Sequence, residues 1–421
     1  MISTIATLPD RKRLSTRHSL MLFFAVAYLS QGISCAQFGV IAQPIQYFMM
    51  KGLKLTAADI SSYLAIMMIP WVVKPVYGLI SDFIPLFGYR RKSYLILANF
   101  IAAIAFVVML LTDSLPVILC ALFVTAIAMA IATALMVGLA VEQGRTDGDA
   151  RDYFCIQEIC YYIANMSAAL VGGLLCHFLA PKLAFHSAAA IATLPLLAVS
   201  FLTALLLNET KTRLDTGKLR ETWNSLVQAM HSRSLWFAAI FSFCWSCIPS
   251  MGVPLYFFES KSLCFSQAAI GQLSACNAIG MLVTAFLYPK LTTNMSVKTQ
   301  LQLAAALILI SSLSYLALSD YFSAVALELF RGAANMAVIL SLYILAAAAC
   351  PARTEVSVMA ILVASRNVGT DAATFIGGQL FTHTLHGNFP PLVCMAALAP
   401  ALSLFLLPLL PAHHAVSERH H

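Results

Sequence analysis

The sequence predicts an all-α membrane protein with twelve transmembrane helices in two halves of six. Of its 421 residues, 60% are hydrophobic and only 10% are charged, whereas a soluble domain usually has about 25% charged residues. Apolar runs of about 20 residues recur along the whole chain, and each is long enough to cross a hydrocarbon core of about 30 Å. The runs lack the alternation of barrel strands, and helices satisfy their own backbone groups inside a bilayer. We therefore predict helices throughout.

The apolar runs place the twelve spans in order. They cover residues 18–43, 57–82, 92–112, 115–141, 153–179, 183–207, 235–257, 267–288, 298–318, 320–349, 355–381 and 391–410. The predicted units are a cytoplasmic tail, a first half, a cytoplasmic connector, a second half and a second tail: 1–17, 18–207, 208–234, 235–411 and 412–421. The first apolar run, of about 25 residues, is too long for the core of a signal peptide, so we predict an uncleaved first span.

The basic loops orient these spans. Eighteen of the 25 Lys and Arg residues lie in loops and tails on one side of the predicted membrane, and only four lie on the other. Because positive loops stay in the cytoplasm, we predict that both termini are cytoplasmic, in a plasma (inner) membrane. The same scattered loops explain the formal charge of +7, so nucleic acid is not a predicted partner.

The chain shows none of the usual patterns of an enzyme or a metalloprotein. Most of its eleven cysteines fall within apolar runs, where cysteine acts as a small hydrophobic residue; this includes the C-x-x-C pair, Cys244 and Cys247. His383 and His386 lack a third ligand at a recognisable spacing. There is no nucleophile elbow, H-E-x-x-H or P-loop. We predict no catalytic residue, no metal and no cofactor.

Two weaker patterns concern the division into halves. In the connector, Trp223, Leu226, Val227 and Met230 recur at helical spacing. That spacing favours an amphipathic helix on the inner leaflet, with an ordinary solvated linker as the alternative. A double glycine occurs in the fifth span, Gly172-Gly173, and again in the eleventh, Gly377-Gly378, about half the chain apart. This spacing supports an internal repeat.

The densest charge and turn chemistry lies in residues 70–94, PWVVKPVYGLISDFIPLFGYRRKSY. Pro70 and Pro75 predict a kink in the second span, because proline removes a helical hydrogen bond. Lys74 lies between them, about 12 Å above the cytoplasmic end of its helix. At that depth we predict a cation facing a cavity, with a buried ion pair as the alternative.

This stretch also carries a family resemblance. Gly78-x-x-x-Asp82 followed by Gly88-Tyr89-Arg90-Arg91-Lys92 resembles the loop motif of the major facilitator superfamily, with residues 83–87 inserted. The fuller pattern is similar to the signature of the folate-biopterin transporter family, at Pro70, Trp71, Lys74, Pro75, Tyr77, Gly78, Ser81, Asp82, Pro85, Gly88, Tyr89, Arg90, Arg91 and Tyr94. The segment Cys350-Pro351 with Glu355, and then Asn367, also resembles that family.

The resemblance implies a secondary carrier of folate, biopterin or a related pteridine, coupled to protons and working by alternating access. It also implies the major facilitator fold, with the solute bound between the halves near the midplane. We expect a monomer in the lipid bilayer. A carrier of S-adenosylmethionine, an amino acid or a nucleoside is the alternative, and a non-transporting receptor is a more distant one. The superfamily's pattern implies a cytoplasmic latch, for which the candidates are Gly78, Asp82, Gly88, Arg90, Arg91, Arg145 and Glu355.

Charged groups at membrane depth are candidates for binding the solute. Arg331 and Arg366 each lie about 16 Å into their spans, and a guanidinium group suits a carboxylate. Charge pairing is the alternative, because Glu328 and Arg331 are spaced i, i+3 on one helix face. The predicted substrate residues are Lys74, Arg331, Arg366, Asn367, Gln31 and Gln157. For the amides, a hydrogen bond between helices is the alternative.

Carboxylates in a partly dry site can bind and release protons. We predict proton coupling at Glu158, about 7 Å into the fifth span, with Glu142 and Asp371 as further candidates. A gate ion pair between Glu142 and Arg145 is the alternative for Glu142.

Overall fold

The computed structural model describes residues 10–147, 150–207, 209, 211, 233–247, 249–349 and 355–406. Its α-helices are α1 (Asp10–Ser34), α2 (Ala42–Tyr47), α3 (Ala57–Val72), α4 (Lys74–Phe83), α5 (Lys92–Leu110), α6 (Leu115–Asp147), α7 (Ala150–Phe178), α8 (Pro181–Leu206), α9 (Arg233–Ser246), α10 (Gly252–Phe257), α11 (Gln267–Leu291), α12 (Val297–Ser314), α13 (Tyr321–Ala349), α14 (Glu355–Gln379) and α15 (Phe389–Leu406). The described residues also form three π-helical turns, Phe48–Gly52, Phe258–Ser262 and Leu380–Thr384, and one 3-10 turn, Tyr315–Ala317. The prediction of helices throughout is confirmed for these residues, and the predicted connector helix and both tail ends lie outside them.

Seven helical segments within the described ranges are long and apolar enough to cross a membrane. They are Lys92–Leu110, Leu115–Ala140, Cys155–Phe178, Pro181–Leu206, Gln267–Tyr288, Val297–Ala317 and Tyr321–Leu342. Three more apolar helices are shorter: His18–Ser34, Ala57–Val72 and Phe389–Leu398.

Three predicted spans are interrupted. The run 57–82 breaks at Val73 between α3 and α4, as the flanking prolines led us to expect. The predicted continuous spans 18–43 and 235–257 are wrong in detail, since α1 stops at Ser34 and α9 stops at Ser246. After α1 the chain turns back so tightly that Val40 N–H donates to the Ile33 carbonyl at 2.8 Å. After α9, Ser250 N–H donates to the carbonyl of Ala373 on α14 at 2.9 Å. Local tertiary bonds, invisible in the hydropathy, end these helices.

The two halves repeat each other closely around the first loop of each. Residues 43–60 and 253–270 align without a gap, with Pro44 and Pro254, Phe48 and Phe258, and Lys51 and Lys261 at matching places. A π-helical turn follows the proline in each copy. Each copy then has a residue with positive φ, Lys54 at 58° and Cys264 at 54°, and a capped helix start at Thr56 and Ser266. Phe48 stacks on Phe185 and Phe258 on Phe389, so the packing repeats too.

The double glycines are contact points of this repeat. A β-carbon on Gly172 would lie 2.9 Å from the Val40 carbonyl, and one on Gly377 would collide with the Ser250 carbonyl. The first glycine of each pair therefore packs on the break after the first helix of its own half. The second packs across the halves, because Gly173 lies against Gly271 on α11 and Gly378 lies against Ser61 on α3. The expected repeat is thus visible in matching contacts.

These cross-contacts close one end of the bundle. We call the end with the turn 84–91 the hairpin face, and the opposite end, with the three π-helical turns, the far face. At the far face Gln43 Nε2 donates to the Gln267 carbonyl at 2.7 Å. Ala58 N–H donates to Thr382 Oγ1 at 3.0 Å, and Gln379 Nε2 to Ser62 Oγ at 3.1 Å. The halves therefore meet at the far face.

Replacing Gly271 by valine should hold the far face open. An added β-carbon would lie 2.7 Å from both the Ala169 carbonyl and the Gly173 Cα, and small residues are what let membrane helices approach this closely. In a cysteine-depleted background, spin labels at Lys51→Cys and Lys261→Cys should move apart by several ångströms. The substitution Ile279→Val, at an exposed position of the same helix, should leave the distance unchanged. An unchanged distance in Gly271→Val would mean that this contact does not control closure.

Candidate functional site

The first part of the site lies at the kink between α3 and α4. Lys74 Nζ lies 5.5 Å from the centroid of the Trp71 ring, within the range of a cation–π contact. Glu158 on α7 interacts electrostatically with Lys74, but the two make no direct ion pair. A cation, an indole ring and a carboxylate therefore share one region of the first half.

The second half reaches this kink through Asn367. Pro75 has no N–H, so the carbonyl of Trp71, four residues earlier, loses its normal helical partner. Asn367 Nδ2 on α14 donates to that carbonyl at 3.2 Å. The bond satisfies a backbone acceptor that the proline leaves free, and it joins the halves beside Lys74. A helix distortion predicted from the sequence therefore becomes a contact between the halves.

Arg366 and Asp371 lie on α14 next to this contact. Both side chains are half-buried, and neither forms an ion pair with any side chain that the structure describes. Asp371 Oδ1 also has no hydrogen-bond partner there. The guanidinium of Arg366 is therefore a cation near the junction of the halves that the described carboxylates do not neutralise.

Buried amides line the first half between α1 and α7. Gln31 and Gln157 are only 4% and 1% exposed. Thr133 Oγ1 donates to Gln31 Oε1 at 2.7 Å, yet the Nε2 atoms of both glutamines lack a partner among the described atoms. Since buried donors are normally satisfied, these two amides could hydrogen-bond a polar ligand.

Arg331 belongs to a separate network. Its Nη2 lies 2.8 Å from Glu328 Oε2, as the charge-pairing alternative predicts. Tyr315 Oη donates to Glu328 Oε1 at 2.6 Å and Asn277 Nδ2 donates to Oε2 at 3.0 Å. The helices α11 and α13 can cross closely enough for these bonds because Gly332 has no side chain. A β-carbon there would collide with the Asn277 carbonyl. This network and the Lys74 region involve different helices.

The hairpin arginines pair within the first half. Arg90 Nη2 and Arg91 Nη2 each lie 3.1 Å from a Glu142 carboxylate oxygen. Glu142 is thus held by the hairpin, an arrangement that the sequence had not suggested. Gly138 leaves room for the Arg91 guanidinium, because a β-carbon there would collide with it. The predicted latch partners Asp82, Arg145 and Glu355 have side chains outside the described residues.

The hairpin turn itself needs its glycine. Leu86 and Tyr89 exchange two backbone hydrogen bonds of 3.0 Å, and the two residues between them have positive φ, 54° at Phe87 and 86° at Gly88. Two successive left-handed residues define a type I′ turn, which strongly favours glycine. No atom outside its own helix lies within 4 Å of the β-carbon position of Gly78, so the described contacts assign it no packing role.

Glu209 organises the hairpin, and sequence reasoning missed it. Its carboxylate accepts hydrogen bonds from the backbone N–H groups of Arg90 at 3.0 Å, Arg91 at 3.1 Å and Lys92 at 2.8 Å. These are the orphan donors at the start of α5, where a negative charge is favoured. The residue lies more than 100 positions away in the connector, where no local pattern marks it.

Replacing Glu209 by glutamine should destabilise the protein by about 1 kcal/mol, because the charge at the start of α5 is lost while one acceptor oxygen remains. Replacement by alanine should cost more, since it removes every acceptor. The thermal unfolding midpoint in detergent measures both. Equal midpoints for the alanine variant and the parent would show that the cap contributes nothing.

The family assignment follows from comparison with known sequences. The family described as the BT1 family matches residues 32–421. The chain belongs to the BT1 family. The folate-biopterin transporter of Synechocystis sp. is 24% identical over 91% of this chain and 80% of its own length. The probable folate-biopterin transporter 2 of Arabidopsis thaliana is 24% identical over 86% and 78%, and folate transporter 1 of Plasmodium falciparum is 22% identical over 90% and 77%. The resemblance carried by the hairpin signature is confirmed.

Solved structures place this member of the BT1 family in the major facilitator fold. The nucleoside transporter NupG superposes with a TM-score of 0.72 at 14% identity, covering 94% of this chain and 98% of that one. A D-xylose–proton symporter gives 0.72 at 12% identity, covering 93% and 97%. The predicted fold class is confirmed. The protein is an integral membrane protein of a transporter family and is not an enzyme.

Proposed function

We propose that this protein is a secondary carrier of folate, biopterin or a related pteridine, coupled to protons and working by alternating access. The observation that carries the proposal is the junction at the α3–α4 kink. There Asn367 of the second half donates to the Trp71 carbonyl of the first half, beside Lys74 and its electrostatic partner Glu158, and Arg366 precedes Asn367 on the same helix. Relatives along most of the chain are named folate or folate-biopterin transporters.

The chemistry of this region fits such a solute. A pteridine is a flat heteroaromatic ring edged with hydrogen-bond donors and acceptors, which suits an indole and buried amides. Folate adds carboxylates, for which Arg366 offers a bidentate guanidinium and Lys74 an ammonium. We assign ring recognition to Trp71, Gln31 and Gln157, and carboxylate recognition to the two cations.

The contacts between the halves support alternating access. With the predicted orientation, in which both termini are cytoplasmic, the closed far face is the external side. Opening it would separate Gln43 from Gln267 and Gly173 from Gly271, while the hairpin face closes through the latch residues. Glu158, which interacts electrostatically with Lys74, and Asp371, on the same helix as Arg366, are our candidates for proton coupling. We place the monomeric protein in the plasma membrane.

The test is uptake of labelled folate and biopterin into proteoliposomes with an imposed pH gradient. Saturable uptake that responds to the gradient supports the proposal. Absence of saturable uptake of either compound would overturn the substrate class, and uptake that ignores the gradient would overturn the coupling. A thermal-shift series with S-adenosylmethionine, amino acids and nucleosides checks the alternatives, because a bound ligand raises stability by mass action.

A further inference from the structure

Glu259 is a buried carboxyl group that neither the predicted substrate site nor the latch uses. It lies on the π-helical turn Phe258–Ser262 and is 4% exposed. No described side chain donates a hydrogen bond to its carboxylate or pairs with it directly. It interacts electrostatically with Glu328 and Arg331, which pair with each other. Glu328 is 2% exposed, and its two oxygens already have partners in Tyr315, Asn277 and Arg331.

The charges of this cluster do not balance. It contains two carboxyl groups and one guanidinium, so ionisation of both acids leaves one negative charge uncompensated among buried groups. An isolated buried charge costs several kcal/mol, and a carboxyl group in that position takes up a proton instead. The other titratable groups facing it cannot supply a cation, since Tyr256, Tyr315 and Cys276 are neutral or anionic. The Lys261 ammonium is exposed and lies 4.8 Å from the Phe257 ring centroid.

The internal repeat shows that packing does not require this acid. In the aligned loops, Met49 occupies the place of Glu259 and is 1% exposed. Both residues occupy the second position of their π-helical turns. The position therefore accepts an apolar side chain of similar length in the first half, and the second half has an ionisable group instead.

We propose that Glu259, buried on its π-helical turn without a direct partner, is a proton-binding site of the second half. A proton adds to one carboxylate oxygen of Glu259, leaving Glu328 ionised against Arg331, and no other bond changes. The site lies at the far face, on the π-helical turn Phe258–Ser262. Opening of the far face would expose it to water and let the proton exchange. Proton binding is argued from the burial of Glu259 and its lack of a direct partner, and its link to transport rests on the proposed function.

The first test needs no substrate. Infrared spectra of the protein in proteoliposomes, recorded from about pH 5 to pH 10, show protonated carboxyl groups by their C=O stretch. The parent should show a buried carboxyl band that both Glu259→Met and Glu259→Gln lack. Asp320→Asn, which removes an exposed loop acid, should keep the band. The Met variant should fold, because Met49 fills the equivalent position. An unchanged band in both Glu259 variants would overturn the proposal.

The second test links the site to coupling. If the proton drives transport, Glu259→Gln should reduce solute accumulation driven by an imposed pH gradient by about tenfold. Solute exchange between equal concentrations on the two sides should continue. Full accumulation in this variant would overturn the coupling role. If the parent carries no pteridine at all, the proposed substrate class fails, and the infrared test still decides whether Glu259 binds a proton.

Discussion

Replacing Arg366 by glutamine should reduce kcat/KM for folate uptake by about 100-fold. A bidentate guanidinium–carboxylate contact contributes about 3 kcal/mol, and each 1.4 kcal/mol is a factor of ten. The described carboxylates do not neutralise this guanidinium, so a solute carboxylate is the natural partner. Uptake of labelled folate into proteoliposomes measures the effect, with the thermal unfolding midpoint checking that the variant is folded.

Two further variants make this result specific. Arg366→Lys keeps the charge but loses the planar fork, so it should recover only part of the activity. Lys290→Gln removes an exposed cation at the end of α11 and should leave uptake unchanged. Biopterin carries no carboxylate, so its uptake should fall less than that of folate in Arg366→Gln. Equal losses for both solutes would contradict the assignment of Arg366 to carboxylate recognition.

Replacing Glu328 by leucine should destabilise the protein by about 3–5 kcal/mol. Removing one member of a buried ion pair leaves the other charge uncompensated, and here Arg331, 2.8 Å from Glu328, would lose its direct partner. Tyr315 would also lose its acceptor, and Asn277 would keep only the backbone carbonyl of residue 328. Thermal and denaturant unfolding in detergent measure the loss.

The double variant Glu328→Leu with Arg331→Met is the matched control. It removes both charges, so most of the lost stability should return, since apolar groups of similar volume can replace a buried pair. Adding Glu259→Met to Glu328→Leu alone should deepen the loss, because Glu259 is a further acid among the described residues that interacts electrostatically with Arg331. A double variant no more stable than Glu328→Leu would show that the pair is not the source of the effect.

Much of the fold could be predicted because it depends on local properties of the chain. Hydropathy located the spans, and the prolines at 70 and 75 located the break at Val73. The i, i+3 spacing predicted the ion pair between Glu328 and Arg331. The breaks after Ser34 and Ser246 were missed because the runs stay apolar through them. Glu259 could have been found from the sequence, because it is an acid at the position that Met49 occupies in the first half. That comparison requires the gap-free alignment of residues 43–60 with 253–270.

The partners of the site were beyond prediction, because they come from helices far apart in sequence. Glu142 lies about 50 residues from the arginines that hold it, and Glu209 lies almost 120 residues from the N–H groups it caps. Asn367 and the Trp71 carbonyl are separated by 296 residues. No periodicity in the chain connects such pairs.

The sequence by itself determined that the chain is a membrane protein, that it has two repeated halves, and which family it belongs to. The length of an apolar run and the family pattern in residues 70–94 are properties of single segments, so they do not depend on how the helices pack. Only the tertiary structure decided that the halves meet at the far face, that Asn367 satisfies the carbonyl freed by Pro75, and that Glu259 is buried without a direct partner. Charge neutrality and hydrogen-bond satisfaction depend on distances between helices, and packing alone sets those distances.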